Sequence, residues 1–278
     1  MKAVLVPIET HDLIPSVLQT ALLFGRRFGS LIEGFALRPV MTEFVPVDMV
    51  GGLTWTQNEL VDQTEAARAR ETFEGFMRER QVPLSAEPGG GLAYRWYDTD
   101  SAGDALVGEY GRVFDVTVVG RPVSGQVAPR MSTLEAALFE SGRPILIAPP
   151  TAPRTLGETI VIAWNGSTET ARATSFALPL LHQATRVIVL TVEGGMAPGP
   201  GGDQLVSYLQ KNGIGADLMD VKPGRRSTGE AILATVASLE CDLLIKGAYT
   251  QSRLRQMIFG GATSHILASA ALPVFMAH

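Results

Sequence analysis

Near the end of the chain two adjacent glycines, Gly260 and Gly261, stand directly before a helix-like segment, in the stretch GAYTQSRLRQMIFGGATSHIL that begins at Gly247. Glycine lets main-chain N–H groups come close to an anion, and a helix N-terminus carries partial positive charge. Thr263 adds a hydroxyl, and Ser252, Arg253 and Arg255 lie in the same loop. Such a grouping suits a polyphosphate. Its bland alternative is an ordinary turn with two solvated arginines. An earlier stretch, RPVSGQVAPRMSTLEAALFE after Gly120, acts as an internal control. Ser132 with Glu135 three residues on predicts a capping box, which satisfies the helix N-terminus from within and leaves no phosphate site.

Other chemistry-bearing residues favour structural roles. His11, His182, His265 and His278 show no metal-ligand spacing. Cys241 precedes a strand and reads as a buried, inert thiol. Ser167 follows a strand, but in WNGST rather than G-x-S-x-G, so a helix N-cap is expected. Neither G-x-x-x-x-G-K-(S/T) nor a strand-following G-x-G-x-x-G occurs, which argues against a P-loop ATPase and a dinucleotide enzyme. PGPGGD, 198–203 with Asp203, reads as a flexible connection, and Trp55 as a contact or a satellite core. Asp115 and Asp242 open equivalent strands, where turning or capping the chain is the expected role.

The elements that must position these residues form an internal repeat. GDALVGEYGRVFDVTVVGRPV from Gly103 matches GEAILATVASLECDLLIKGAY from Gly229, placing Asp115 opposite Asp242 at an offset of 127 residues. KAVLVPIET matches ETIVIAWNG at an offset of 156, with Glu9 opposite Asn165. The first copy therefore carries 29 extra residues, assigned mostly to 39–58. Each copy reads β-α-β-α-β-α-β-α-β. In the second, strands are expected at 159–163, 186–192, 216–221, 242–246 and 274–277, and helices at 169–183, 204–212, 228–239 and 263–270. In the first, 59–80 reads as a long helix with an apolar stripe of Leu60, Ala67, Phe73, Phe76 and Met77. Short strands without polar alternation, separated by helices, indicate α/β architecture: a parallel sheet with helices on both faces. The proline-rich 149–158 is the linker between domains at 1–150 and 156–278. Ligands of such sheets sit at the strands' carboxyl ends, which directs attention to Asn165, Val192 and the segment from Gly247.

Composition sets the outer bounds. The chain has 278 residues, 46 % hydrophobic and 18 % charged, with a net charge of -5, which argues against disorder and against a broad basic face for nucleic acid. One cysteine excludes an intrachain disulfide. No apolar run is long enough for a membrane span, and the N-terminus reads as a strand rather than a leader, so a cytoplasmic location is expected. Residues 1–150 hold 13 Lys and Arg against 19 Asp and Glu, whereas 151–278 hold 10 against 9, so an anion meets less repulsion in the second copy.

The sequence resembles the universal stress protein (UspA-type) family in its tandem form. The likeness is strong in the second copy and degenerate in the first. The family's nucleotide-binding pattern, G-x-x-G, nine residues, then G-(S/T), falls on Gly247, Thr250, Gly260 and Gly261. The second glycine is replaced by Thr250 and the Ser/Thr by Gly261. Asn165 stands where the family has an acidic residue, and Val192 where main chain touches adenine. The resemblance implies two flavodoxin-like (adenine nucleotide alpha hydrolase-like) domains, each a five-stranded parallel sheet, paired through their last strands within one chain. It further implies a non-catalytic stress-response protein with one adenine-nucleotide pocket. Asn165 would bond the ribose and Val192 the adenine. Gly247, Thr250, Gly260, Gly261, Ala262 and Thr263 would line the phosphates, with Arg253 or Arg255 closing over them. ATP is the expected ligand, with Mg²⁺ left open, and hydrolysis at most weak because no general base stands at the loop. The alternatives are a nucleotide-independent interaction scaffold that uses 39–58 as a partner surface, and a binder of another metabolite between the domains.

Overall fold

The computed structural model describes residues 1–38, 51–85, 90–99, 103–123, 128–248 and 261–278, and for 51–62 the backbone alone. The N-terminal half runs β1 (Ala3–Ile8), α1 (Ile14–Phe28), β2 (Leu31–Ala36), α2 (Gly51–Glu79), β3 (Ala93–Trp96), α3 (Ala105–Gly111), β4 (Val116–Gly120), α4 (Met131–Glu140) and β5 (Ile145–Ala148). The C-terminal half repeats the order: β6 (Thr159–Ala163), α5 (Thr168–Leu181), β7 (Arg186–Val192), α6 (Gly202–Lys211), β8 (Asp217–Val221), α7 (Thr228–Ser238), β9 (Leu243–Gly247), α8 (Ala262–Ser269) and β10 (Val274–Ala277).

All the described strands lie in one sheet, in the order β3-β2-β1-β4-β5-β10-β9-β6-β7-β8. Neighbours are parallel except at the centre, where β5 and β10 run antiparallel with Phe275 opposite Leu146. The expected pairing of the two last strands is therefore made inside the chain. It stops at Ile147, just before Pro149, which has no N–H to continue a ladder. Strand residues alternate between the two faces. Val4, Val6, Ile160 and Ile162 join a core under α1, α2, α5 and α6. Leu5, Val161 and Leu244 join another under α3, α4, α7 and α8. Corresponding helices share a face, so the pseudo-two-fold axis stands perpendicular to the sheet. The apolar interior is divided by the sheet, not by the repeat.

Local rules account for most of the boundaries. α1 begins with Pro at its first turn and ends on Gly29, whose φ of 58° lets its N–H reach the Gly25 carbonyl. Ser167 caps α5 by accepting from Thr170 N at 3.2 Å, as its sequence context suggests. Asp242 accepts from the main-chain N–H of Gly157, Glu158 and Thr159, and Asp115 does the same for Lys2 and Ala3. Both acids thus pin the first strand of their own repeat to its fourth.

Four expectations need correction. The extra residues of the first copy are not all connection, because α2 starts at Gly51 and takes in the end of 39–58; 39–50 lie outside the described residues. Within α2, Ala67 is exposed and Ala69 takes its place beside Phe73 and Met77, at helical spacing. Ser132 does not cap α4, which begins at Met131 with Arg130 at the N-cap and no side-chain cap bond. The PGPGG stretch is held down rather than loose: Trp164 Nε1 donates to the Pro200 carbonyl at 2.9 Å. A Cβ on Gly199 would lie 2.3 Å from the Gly166 oxygen.

Candidate functional site

At the carboxyl end of β1, the N-terminal half fills the mouth of its own sheet. Glu9, only 8 % exposed, reaches the first turn of α4. It accepts from Arg130 Nε at 2.7 Å and bonds Thr133 Oγ1. Arg130 also pairs with Asp104 at 3.0 Å. His11 lies beside Glu9, and burial holds its pKa below the usual value, so the imidazole stays neutral at physiological pH. A carboxylate at a helix N-terminus is electrostatically favoured, and Glu9 accepts from the N-cap N–H of Arg130 at 3.4 Å. The start of α4 is thus faced by the chain's own acid and not closed by a capping box.

The C-terminal half is built differently at the same place. α8 starts on Gly261, whose φ of 96° an L side chain rarely adopts. A Cβ added there would meet nothing within 4 Å. Ala262 and Thr263 form the first turn, and Thr263 is buried. Beneath it lies Lys246 of β9, which the sequence reading passed over as part of an apolar strand. Its Nζ donates to Thr263 Oγ1 at 2.9 Å and to the Gly247 carbonyl at 2.8 Å. Burial pushes the lysine pKa down to about 8, opposed by the field of Glu169. Comparison of the repeats could have singled it out, since the matching residue of β4 is Val119.

The remaining expected site residues are placed as follows. Asn165 follows β6, and its Oδ1 accepts from Ser167 N at 3.2 Å and Thr170 Oγ1 at 2.6 Å. Its carbonyl accepts from Ala197 N at 2.7 Å, leaving Nδ2 without a partner among the described residues. Val192 is buried at the end of β7, and its carbonyl accepts from Gly195 N at 3.0 Å. Gly247 faces α5 rather than a cavity: a Cβ would lie 2.4 Å from Thr170 N. Its glycine is explained by this close packing. Thr250, Ser252, Arg253, Arg255 and Gly260 lie outside the described residues, as does the side chain of Trp55.

Elsewhere the chemistry is quiet. Burial pushes the Cys241 thiol up to about 12, so it stays protonated. Among the described residues no group of His, Cys, Asp or Glu has metal-site geometry, and no helix is long and apolar enough to cross a membrane. A cavity of about 400 Å³ opens near the ends of β2 and β3, lined by Arg38, Arg70, Trp96 and Asp98 among others. Arg70 there is already paired with Glu74 and Asp98.

No protein-family model matches this chain, and no curated protein does. Solved structures do. A universal stress protein from Archaeoglobus fulgidus DSM 4304 superposes with a TM-score of 0.68 at 15 % identity, over 99 % of this chain and 97 % of that one. A putative universal stress protein from Pseudomonas aeruginosa UCBPP-PA14 gives 0.53 at 13 % identity, over 100 % of this chain and 93 % of that one. A functionally unknown protein from Pseudomonas aeruginosa PAO1 gives 0.54 at 13 % identity, over 100 % and 92 %. These likenesses span both halves and the central β5–β10 junction, so the chain has the α/β fold of the universal stress proteins.

Proposed function

We propose that the chain is a tandem universal stress protein, with domains at 1–150 and 156–278, and that it is a cytoplasmic, non-catalytic stress-response protein binding ATP in the second domain. The observation that carries this reading is the contrast between two equivalent helix starts. α4 meets a carboxylate of its own chain, whereas α8 starts on Gly261, where an added Cβ meets nothing within 4 Å among the described residues. The phosphate end suits the residues present. Main-chain N–H groups at Gly261, Ala262 and Thr263 would receive the phosphates, with Gly260, Thr250 and Arg253 of the preceding loop beside them and Gly247 behind. Asn165 would reach the ribose through Nδ2, and Val192 would border the adenine. Equilibrium dialysis of the full chain against ATP tests this, with an expected Kd below about 1 mM. Gly260→Asp, which adds a side chain and a negative charge at the cradle, should abolish binding. Absence of binding to the wild-type chain at millimolar ATP removes the proposal.

A nucleotide-independent scaffold is the second reading. It is favoured by the engagement of Asn165 Oδ1 and the Val192 carbonyl in bonds within the chain. Under it, deletion of 39–58 should abolish self-association or partner capture without loss of fold, and unchanged association rejects it.

A further inference from the structure

The cavity at the ends of β2 and β3 is a product of the first repeat alone. α2 has 29 residues, and α6, its counterpart, has 10. Counted back from the C-terminal ends of the two helices, Gln63, Ala66 and Ala67 lie in turns that α6 lacks, and Arg70 matches Gly202. These residues of α2 form one wall of the cavity, and Trp96 and Tyr97 at the end of β3 form another. In the second repeat the same place is closed. The ladder register matches Trp96 with Leu218, and a Cβ on Gly202 would lie 2.6 Å from Leu218 Cδ1. The cavity is also distinct from the place of Val192. The register matches Val192 with Leu37, which joins the core on the opposite side of the sheet from α2.

The aromatic wall is held from behind. Tyr97 stacks on Tyr110, with ring centres 4.7 Å apart and planes inclined by 27°. The Tyr110 hydroxyl donates to Glu33, which is fully buried and also accepts from Arg95 Nε at 2.7 Å. Glu33 stands where the second repeat has Ile188. A buried carboxylate costs solvation, and an apolar residue serves the second repeat at that position. What Glu33 adds to the first repeat is a fixed place for Tyr110 and, through the stack, for Tyr97. Trp96 is set as firmly: it packs on Phe73 with 5.6 Å between ring centres, and its Nε1 donates to Asp98 at 2.9 Å. Both rings are therefore in position before any ligand arrives, which lowers the cost of binding.

The charges at the cavity cancel. Arg70 is paired with Glu74 and Asp98, and Arg38 adds a second positive charge to the lining, so two cations stand with two carboxylates. A ligand bearing a full charge of either sign would upset that balance. Hydrogen-bonding capacity remains, because Arg70 Nη2, the Gln63 amide and the Tyr97 hydroxyl have no partner among the described residues. We propose that the cavity, about 400 Å³ in volume, binds an uncharged planar aromatic molecule of two fused rings, packed against Trp96 and Tyr97 with its polar edge toward Gln63 and Arg70. The site lies in the first domain and does not depend on the nucleotide reading of the second.

The test is calorimetric titration of the full chain with indole-3-carboxamide and with indole-3-carboxylate, which has the same rings and one negative charge. The amide should bind with a Kd below about 1 mM, and the acid at least about tenfold more weakly. Ala67→Trp, a change at an exposed position of α2 that fills the cavity, should abolish binding of the amide. Arg68→Trp, the same bulk placed outside the lining, should preserve it. Gln63→Trp, one turn earlier on the same wall, repeats the occlusion should Ala67→Trp fail to fold. ATP affinity should be equal in wild type and every variant. No binding of the amide to wild type at about 5 mM, or binding untouched by the occluding variants, overturns the site. Acid bound as tightly as amide overturns the assignment to an uncharged ligand. A chain that binds the amide and not ATP keeps this site and loses the nucleotide reading, and one that binds ATP and not the amide does the reverse.

Discussion

Lys246 binds its proton less tightly in the folded chain than in water because its ammonium is stripped of solvent, and its pKa falls to about 8 from an ordinary 10.5. Below about pH 8 the group is charged in both states, and the fold carries the whole burial penalty. Between that point and the ordinary value, the unfolded chain holds more protons, so stability contributed by this site rises with pH. Lys246→Met should therefore be more stable than wild type at neutral pH, by on the order of 3 kcal/mol, and the difference should vanish at high pH. Urea unfolding of both chains across this range checks it. A difference independent of pH would place the effect in packing alone. At this scale the sequence was only partly legible. Ser167, Asp115 and Asp242 carry local signals, because a cap or a strand-opening acid acts over a few residues or over a repeated position. Lys246 and the reach of Glu9 to Arg130 depend on which helix start lies over which strand end, and no spacing rule contains that.

Elements were read more easily, because a helix or a buried strand declares itself through periodicity. The strands β6, β7 and β10 begin and end where the sequence places them. α2 was harder: its first turns carry two glycines and lie in the added segment, so propensity argued against a helix that the backbone nevertheless adopts. The start of α4 was misplaced because a capping-box pattern at Ser132 was overridden by a carboxylate from a distant strand. The order β1–β4 and β6–β9 depends on the paired acids at the strand starts. Removing Asp242 leaves three N–H groups, those of Gly157, Glu158 and Thr159, without their acceptor. Asp242→Ala should destabilise the chain by about 2–3 kcal/mol, whereas an Asp217→Ala control, which removes only an exposed pair with Arg186 on the edge strand, should change it by less than about 1 kcal/mol. Thermal unfolding of the two variants measures the contrast.

Across the whole molecule, the two halves are joined by more than the β5–β10 ladder. Arg121, at the end of β4, donates to the Leu267 carbonyl at 3.1 Å and also bonds Ala268, at the negative end of α8. Arg27 of α1 donates to the carbonyls of Leu156 and Gly157 at 3.1 and 2.9 Å. Phe139 of α4 packs edge-on against His278, 4.8 Å between ring centres. A piece limited to 156–278 loses all of these contacts and exposes β10 as a bare edge with unpaired N–H and C=O groups. Such a piece should dimerise through β10 at micromolar concentration, as read by sedimentation, and Met276→Pro, which removes a ladder donor on the side facing β5, should return it to a monomer. A piece that remains monomeric would show that the side-chain clamps, not the ladder, hold the halves together. The antiparallel step between β5 and β10 has a further result. Every strand beyond it points the other way, so the mouth closed by Glu9 and the mouth beside Lys246 open at opposite poles of the molecule. Whatever settles at the second pole does not crowd the first. Substitutions at one pole and at the other are far enough apart for their effects on stability to add.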